Sequence, residues 1–192
     1  LRLFGEVCDA VHHAHQKAIV HRDLKPTNVL VTRDGGRSFP KIIDFGVSKA
    51  LGRDLSDRTL YTEVGVLIGT PEYMSPEQAR AGDDAVDTRT DVYSLGVILY
   101  ELISGGLPFD SKRLRESGYD GIRRVILDED PPRPSVRAET LGGEARGLRG
   151  DLDWITMKAL AKEPERRYAS CAEFAADIER HLHEEPVIAG PP

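Results

Sequence analysis

Residues 21–28 of the chain read HRDLKPTN, and Asp44 opens a DFG sixteen residues after Asn28. Asp23, Lys25 and Asn28 place three polar groups on one short stretch flanked by apolar runs. An aspartate can accept a proton from a hydroxyl. A lysine brings a compact positive charge suited to a phosphate. An asparagine offers a neutral oxygen to a hard cation such as Mg2+, and Asp44, closing an apolar run, offers a second oxygen ligand. Gly46 behind it lets the backbone turn freely. Phosphoryl transfer asks a protein for metal ions that bridge phosphates, a positioned hydroxyl and charge stabilisation, and these residue types supply all three. In isolation an Asp in a loop is most often a structural turn residue, so the surroundings of Asp23 and Asp44 decide.

The elements that must hold these residues follow from apolar spacing. Leu3, Val7, Val11 and Ala14 predict an amphipathic helix over 2–17. Short β-like runs follow at 18–21, 29–31 and 41–43, with RDGG at 33–36 as a turn joining the last two in a hairpin. Residues 46–75 are polar and irregular and read as a long loop. Leu95, Leu99, Leu102 and Ile103 mark the buried stripe of a helix over 91–104, expected to be the most buried element. A second helix is predicted over 111–128, an extended proline-stiffened stretch at DEDPPRPS, and a loop over 139–150. Leu152, Ile155, Ala159 and Leu160 predict a further helix, with Trp154 as a core residue. Ser170 and Glu173 form a capping-box pattern before a last helix lined by Phe174, Ile178 and Leu182.

Composition narrows the classes. The 192 residues suffice for one domain with a real core, and a net charge of −6 argues against a general nucleic-acid or membrane-surface binder. Cys8 and Cys171 are far apart and lack a CxxC partner, which points to reduced, cytoplasmic surroundings rather than a disulfide or zinc framework. The most apolar stretch, 92–103, is too short for a bilayer and contains Glu101. His12, His13 and His15 could suggest a metal cluster, but only His12 and His15 share a helix face, and a solvated face is the expected reading. RLRESGYDGIRR likewise reads as a solvated helix face before a basic docking patch.

In order and spacing, HRDLKPTN, DFG, GTPEYMSPE (69–77), DVYSLGVILYELISGGLPF (91–109) and KEPERRY (162–168) resemble the C-terminal lobe of a eukaryotic-type (Hanks-type) bacterial serine/threonine protein kinase. The resemblance implies a protein kinase-like α+β fold, of which this chain is the mainly α-helical large lobe with a few short strands. It implies that Asp23 accepts the proton of the substrate hydroxyl, Lys25 steadies the transferring phosphate, and Asn28 and Asp44 hold Mg2+, or Mn2+ in its place, on ATP. His21 and Phe45 would pack together, Arg22 would receive a phosphate from the activation segment, and Thr70 would bond near Asp23 and Lys25. Glu77, in SPE where the family usually has APE, would pair with Arg167, and Asp91 would brace the catalytic loop through its backbone N–H groups. Thr62, then Thr59, is the expected phosphate acceptor. Lys25 and GTPEYMSPE favour Ser/Thr over Tyr in protein substrates.

The family's upstream half is missing: no GxGxxG occurs and no VAIK-like strand precedes the catalytic loop. The expectation is therefore a partial kinase domain over 1–185, the start of a Pro/Gly linker over 186–192, and negligible transfer by this chain alone. The parent would carry the small lobe and, by analogy with large bacterial members, repeat modules or a membrane segment elsewhere. Two alternatives stand beside this reading. One is a pseudokinase or protein-binding scaffold lobe. The other is a small-molecule phosphotransferase sharing H-x-D-x-x-x-x-N, against which Lys25 and the 69–77 segment argue.

Overall fold

The computed structural model describes residues 1–45, 70–80 and 86–190. Gly46, Thr59 and Thr62, with the rest of 46–69, lie outside the described residues.

Helix α1 (Arg2–His15) buries Phe4, Val7, Cys8, Val11 and Ala14 along one stripe. It stops two residues short of the predicted end. Ala18 N then bonds His15 O and Ile19 N bonds Ala14 O, and Ala18 takes a left-handed φ of 58°. These turn bonds use backbone groups that the predicted strand at 18–21 would need, so no strand forms there.

Strands β1 (Val29–Asp34) and β2 (Arg37–Ile42) form the expected antiparallel hairpin, in register from Val29 opposite Ile42 to Asp34 opposite Arg37. Gly35 and Gly36 both have positive φ, as a tight two-residue hairpin turn requires.

After the short helix α2 (Pro76–Ala79) comes α3 (Arg89–Ser104), in which every residue from Thr90 to Tyr100 is buried. Gly105, with φ of 76°, ends it in a left-handed cap. Leu102, placed by its spacing on the buried stripe, is 66% exposed instead.

Two further expectations are revised. The predicted helix over 111–128 is two helices, α4 (Ser111–Glu116) and α5 (Gly118–Asp128), because Gly118 adopts φ of 66°. The stretch predicted as extended gives way to α6 (Pro134–Thr140), with Pro134 at its first position. The Asp153 carboxylate accepts from Ser135 N at 2.9 Å and Ser135 Oγ at 2.6 Å, satisfying donors at that helix start.

Helix α7 (Asp151–Ala159) crosses α3 closely: a Cβ on Gly96 would lie 2.9 Å from Ala159 Cβ. Helix α8 (Cys171–Leu182) starts at Ser170, whose Oγ accepts from Glu173 N at 3.2 Å. Glu173 reaches back to Ala169 N, one residue before the expected partner.

Helices α1, α3, α7 and α8 share one core containing Phe4, Val11, Leu95, Ile155, Phe174 and Ile178. Each such side chain contributes roughly 1.5–3 kcal/mol by leaving water. The packing continues past Glu185, where the linker was expected to begin. Asp177 accepts from Ile188 N at 2.7 Å and Ala189 N at 2.9 Å, and Ala189 is buried.

Candidate active site

Leu24 is buried in the core between two partly exposed neighbours, Asp23 and Lys25. That single anchor keeps both polar side chains near the surface. Lys25 Nζ donates to Asp23 Oδ2 at 2.9 Å. Asn28, held in the short turn Pro26–Asn28, donates from Nδ2 to Asp23 O at 2.9 Å. Its Oδ1 accepts no hydrogen bond among the described residues.

The hairpin base joins this group to the DFG stretch. Ile43 N donates to Asn28 O at 3.0 Å, extending the β1–β2 register by one step and bringing Asp44 alongside. Asp44 is exposed and has φ of 56°. His21 is fully buried, donates from Nε2 to Ile43 O at 2.9 Å, and accepts from Asp23 N at Nδ1. Its ring lies 4.8 Å from that of Phe45. One imidazole thus joins the backbone of Asp23 to the residue preceding Asp44.

Two hard oxygens, Asn28 Oδ1 and the Asp44 carboxylate, fit Mg2+, which keeps several waters and relies on substrate phosphates for its remaining ligands. No group of three or more His, Cys, Asp or Glu able to hold a metal occurs among the described residues.

Beneath the loop, Asp91 is fully buried in the first turn of α3. It accepts from His21 N at 2.8 Å and Arg22 N at 2.9 Å. This is the bracing geometry expected from the resemblance. Arg22 is held at φ of 64°, a conformation that a residue with a side chain rarely adopts.

A third donor was missed in the sequence. His15 Nε2 lies 2.7 Å from Asp91 Oδ2, and its side chain is 5% exposed. It is not on a solvated face. The signal was available: His15 stands four residues after Val11, on the buried stripe of α1. A second missed residue is Gln78, whose Nε2 donates to Arg22 O at 2.7 Å.

Glu77 and Arg167 pair as expected. Arg167 Nη1 and Nη2 reach the two carboxylate oxygens at 2.7 and 2.8 Å. Arg167 also donates to Ala161 O, Arg89 O and Lys162 O, so all five of its N–H groups are used. Thr90 Oγ1 donates to Glu77 Oε1 at 2.7 Å. Burial alone would raise the Glu77 carboxyl. The hydrogen bonds and charge of Arg167 outweigh it and hold the group below the usual carboxylate range.

Thr70 is partly buried ahead of the short turn Pro71–Tyr73, and its hydroxyl makes no bond to Asp23 or Lys25 among the described residues. The 113–124 stretch does not form a free basic patch. Arg113 pairs with Glu129, Arg115 with Glu72, and Arg123 lies over the Tyr119 ring.

Comparison with known proteins gives the family. The model of the protein kinase domain matches residues 2–178. Serine/threonine-protein kinase PknB of Mycobacterium tuberculosis is 39% identical over 186 residues, covering 97% of this chain and 26% of that protein. Serine/threonine-protein kinase Pkn1 of Myxococcus xanthus is 39% identical over 183 residues, covering 95% and 24%. The chain therefore spans about a quarter of the length of these curated relatives. The crystal structure of the Mycobacterium tuberculosis PknI kinase domain aligns with a TM-score of 0.59 at 26% identity, covering 93% of this chain and 53% of that one.

Proposed function

The chain belongs to the protein kinase family, and from that premise we propose that it is the large lobe of a serine/threonine protein kinase acting in signalling. The reaction is transfer of the γ-phosphate of ATP to Ser or Thr hydroxyls of proteins. What supports this reading is the hydrogen-bonded group of Asp23, Lys25 and Asn28, the backbone bonds that tie Ile43, just before Asp44, to Asn28 and His21, and the hold of Asp91 on the loop backbone.

In this role Asp23 orients the substrate hydroxyl and accepts its proton, the geometry a general base needs. Lys25, paired with Asp23 here, is close enough to Asp23 to share its charge with an incoming phosphate. Asn28 and Asp44 would hold Mg2+ on the nucleotide. Bound Mg2+ supplies neutralisation of phosphate charge. The fixed backbone of residues 21–23 keeps Asp23 in place, and positioning of this kind is worth several powers of ten in rate.

The guanidinium of Arg22 makes no hydrogen bond or ion pair among the described residues. It remains available for a phosphate on Thr62 or Thr59. The reading includes a small lobe outside this sequence, supplying the glycine-rich loop and strand lysine, without which the chain transfers phosphate negligibly. In support, this chain matches only 53% of the solved PknI kinase domain. No described helix is long and apolar enough to cross a membrane. The reading places the kinase domain in the cytoplasm, where ATP is available, and assigns any anchor to other segments of the parent. The presence of Asp23, Asn28 and Asp44 together weighs against a pseudokinase.

The test is Mg2+-dependent transfer from ATP by the full-length protein, to itself and to a generic Ser/Thr protein, beside Asp23→Asn. Transfer that collapses in the variant supports the assignment. A folded, ATP-binding protein without transfer would move the reading to a pseudokinase.

A further inference from the structure

We infer that Gln78 is a positioning residue for the catalytic loop, acting through the carbonyl of Arg22. The inference rests on the kinase reading for its catalytic consequence and on geometry for the link itself.

The Gln78 amide is used at both ends. Its Oε1 accepts from Ser75 N at 3.1 Å, while Gln78 N donates to Ser75 Oγ at 3.4 Å, closing a capping box on α2. Because the amide oxygen faces an N–H, the Nε2 end must point the other way, where it donates to Arg22 O at 2.7 Å across 56 residues of sequence.

Arg22 is the strained residue of the loop, with φ of 64°. Asp91 holds the N–H groups on its N-terminal side, at His21 and Arg22. Nothing in Asp91 fixes the following peptide, which joins Arg22 to Asp23. Gln78 takes the carbonyl of that peptide, and His21 Nδ1 takes its N–H, the N–H of Asp23. The peptide plane before Asp23 is thus clamped on both edges, and no other described residue donates to Arg22 O. The clamp also ties the catalytic loop to the segment anchored by Glu77 and Arg167, one residue away from Gln78. Placement of 70–79 is in this way transmitted to Asp23 by one amide.

Gln78→Glu separates the two functions of the side chain. A glutamate still accepts from Ser75 N and keeps the capping box, but it replaces the donor facing Arg22 O with an oxygen. Ser75→Ala does the reverse, removing the Oγ cap while leaving the Nε2 donor. In the full-length protein, Gln78→Glu is expected to lower kcat about tenfold or more with KM for ATP and for substrate within about twofold of the parent. Ser75→Ala is expected to lower the melting temperature while keeping kcat near the parent value. Amide hydrogen exchange is expected to rise at residues 22–24 in Gln78→Glu and not in Ser75→Ala. Unchanged kcat in Gln78→Glu, or a loss matched by Ser75→Ala, overturns the inference, as does unchanged exchange at 22–24. If the parent itself transfers no phosphate, the kinase reading fails, and the exchange comparison alone decides the positioning link.

Discussion

Removing Arg167 should be the most costly single change in the described core. Its guanidinium is fully buried, as is the Glu77 carboxylate it faces. Arg167→Met deletes five hydrogen bonds, orphans the Ala161 and Lys162 carbonyls and leaves Glu77 with Thr90 as its remaining side-chain partner. Breaking a buried pair from one side costs about 3–5 kcal/mol, against a total stability of about 5–15 kcal/mol for a domain. At this chain length that is a fall of roughly 6–20 °C in Tm. Glu77→Gln should fall at the low end, because the guanidinium keeps its three carbonyls. The double variant should cost less than the sum of the singles by about 1–3 kcal/mol. The pH dependence has a definite sign. The folded Glu77 carboxyl is depressed, so its contribution is present at neutral pH and is lost as pH falls below the usual carboxylate range. In Arg167→Met the orphaned carboxyl is instead raised by burial and takes up a proton in mild acid, so the two proteins should converge in stability there. Urea unfolding followed by circular dichroism at neutral pH and near pH ~4 reads this directly. Single variants each costing less than about 1 kcal/mol, or a loss equal at both pH values, would refute the reasoning.

Further outcomes follow from other contacts. Asp91→Asn replaces one of two accepting oxygens with an NH2 that faces a backbone N–H, and should lower phosphate transfer by about a hundredfold, read as kcat with KM for ATP little changed. His15→Ala leaves Asp91 its two backbone donors and should cost about 1–3 kcal/mol in urea unfolding, with a smaller loss of kcat than Asp91→Asn. Gly96→Ala drives a methyl onto Ala159 and should cost about 1–3 kcal/mol, measured by thermal unfolding. Asp177→Asn should release residues 187–190 to limited proteolysis at neutral pH, since one amide oxygen cannot replace two carboxylate oxygens for Ile188, Ala189 and Tyr168.

Residues whose meaning lies in near neighbours were legible in the sequence. Asp23, Lys25 and Asn28 sit within one loop, the Gly35–Gly36 turn announces its hairpin, and the apolar run of α3 announces its burial. Glu77 and Arg167 are 90 residues apart and came only through the family resemblance. What escaped depends on long-range partners. His15 was read by its polarity, although its helical phase put it under the loop against Asp91. Gln78 looks like an ordinary helix residue until Arg22 is placed beside it. Pro134 reads equally as a breaker or as a first helical residue, and the distant Asp153 decides between them. Gly118 could sit in a helix or break it, and local propensity does not choose.

The hairpin has two unequal flanks. Pro40 stands opposite Val31 and has no N–H. An antiparallel ladder can place it there only at a pair whose backbone groups point outward, so the missing donor belongs to the outer flank of β2. That flank also lies beside α1, to which Arg37 is tied through Glu6. The outer flank of β1 has no such interruption, and the side chains of Leu30 and Val31, on opposite faces of that strand, are exposed. Among the described residues the edge of β1 is the unblocked one, so a third strand, from this chain or from a second molecule, would pair beside β1.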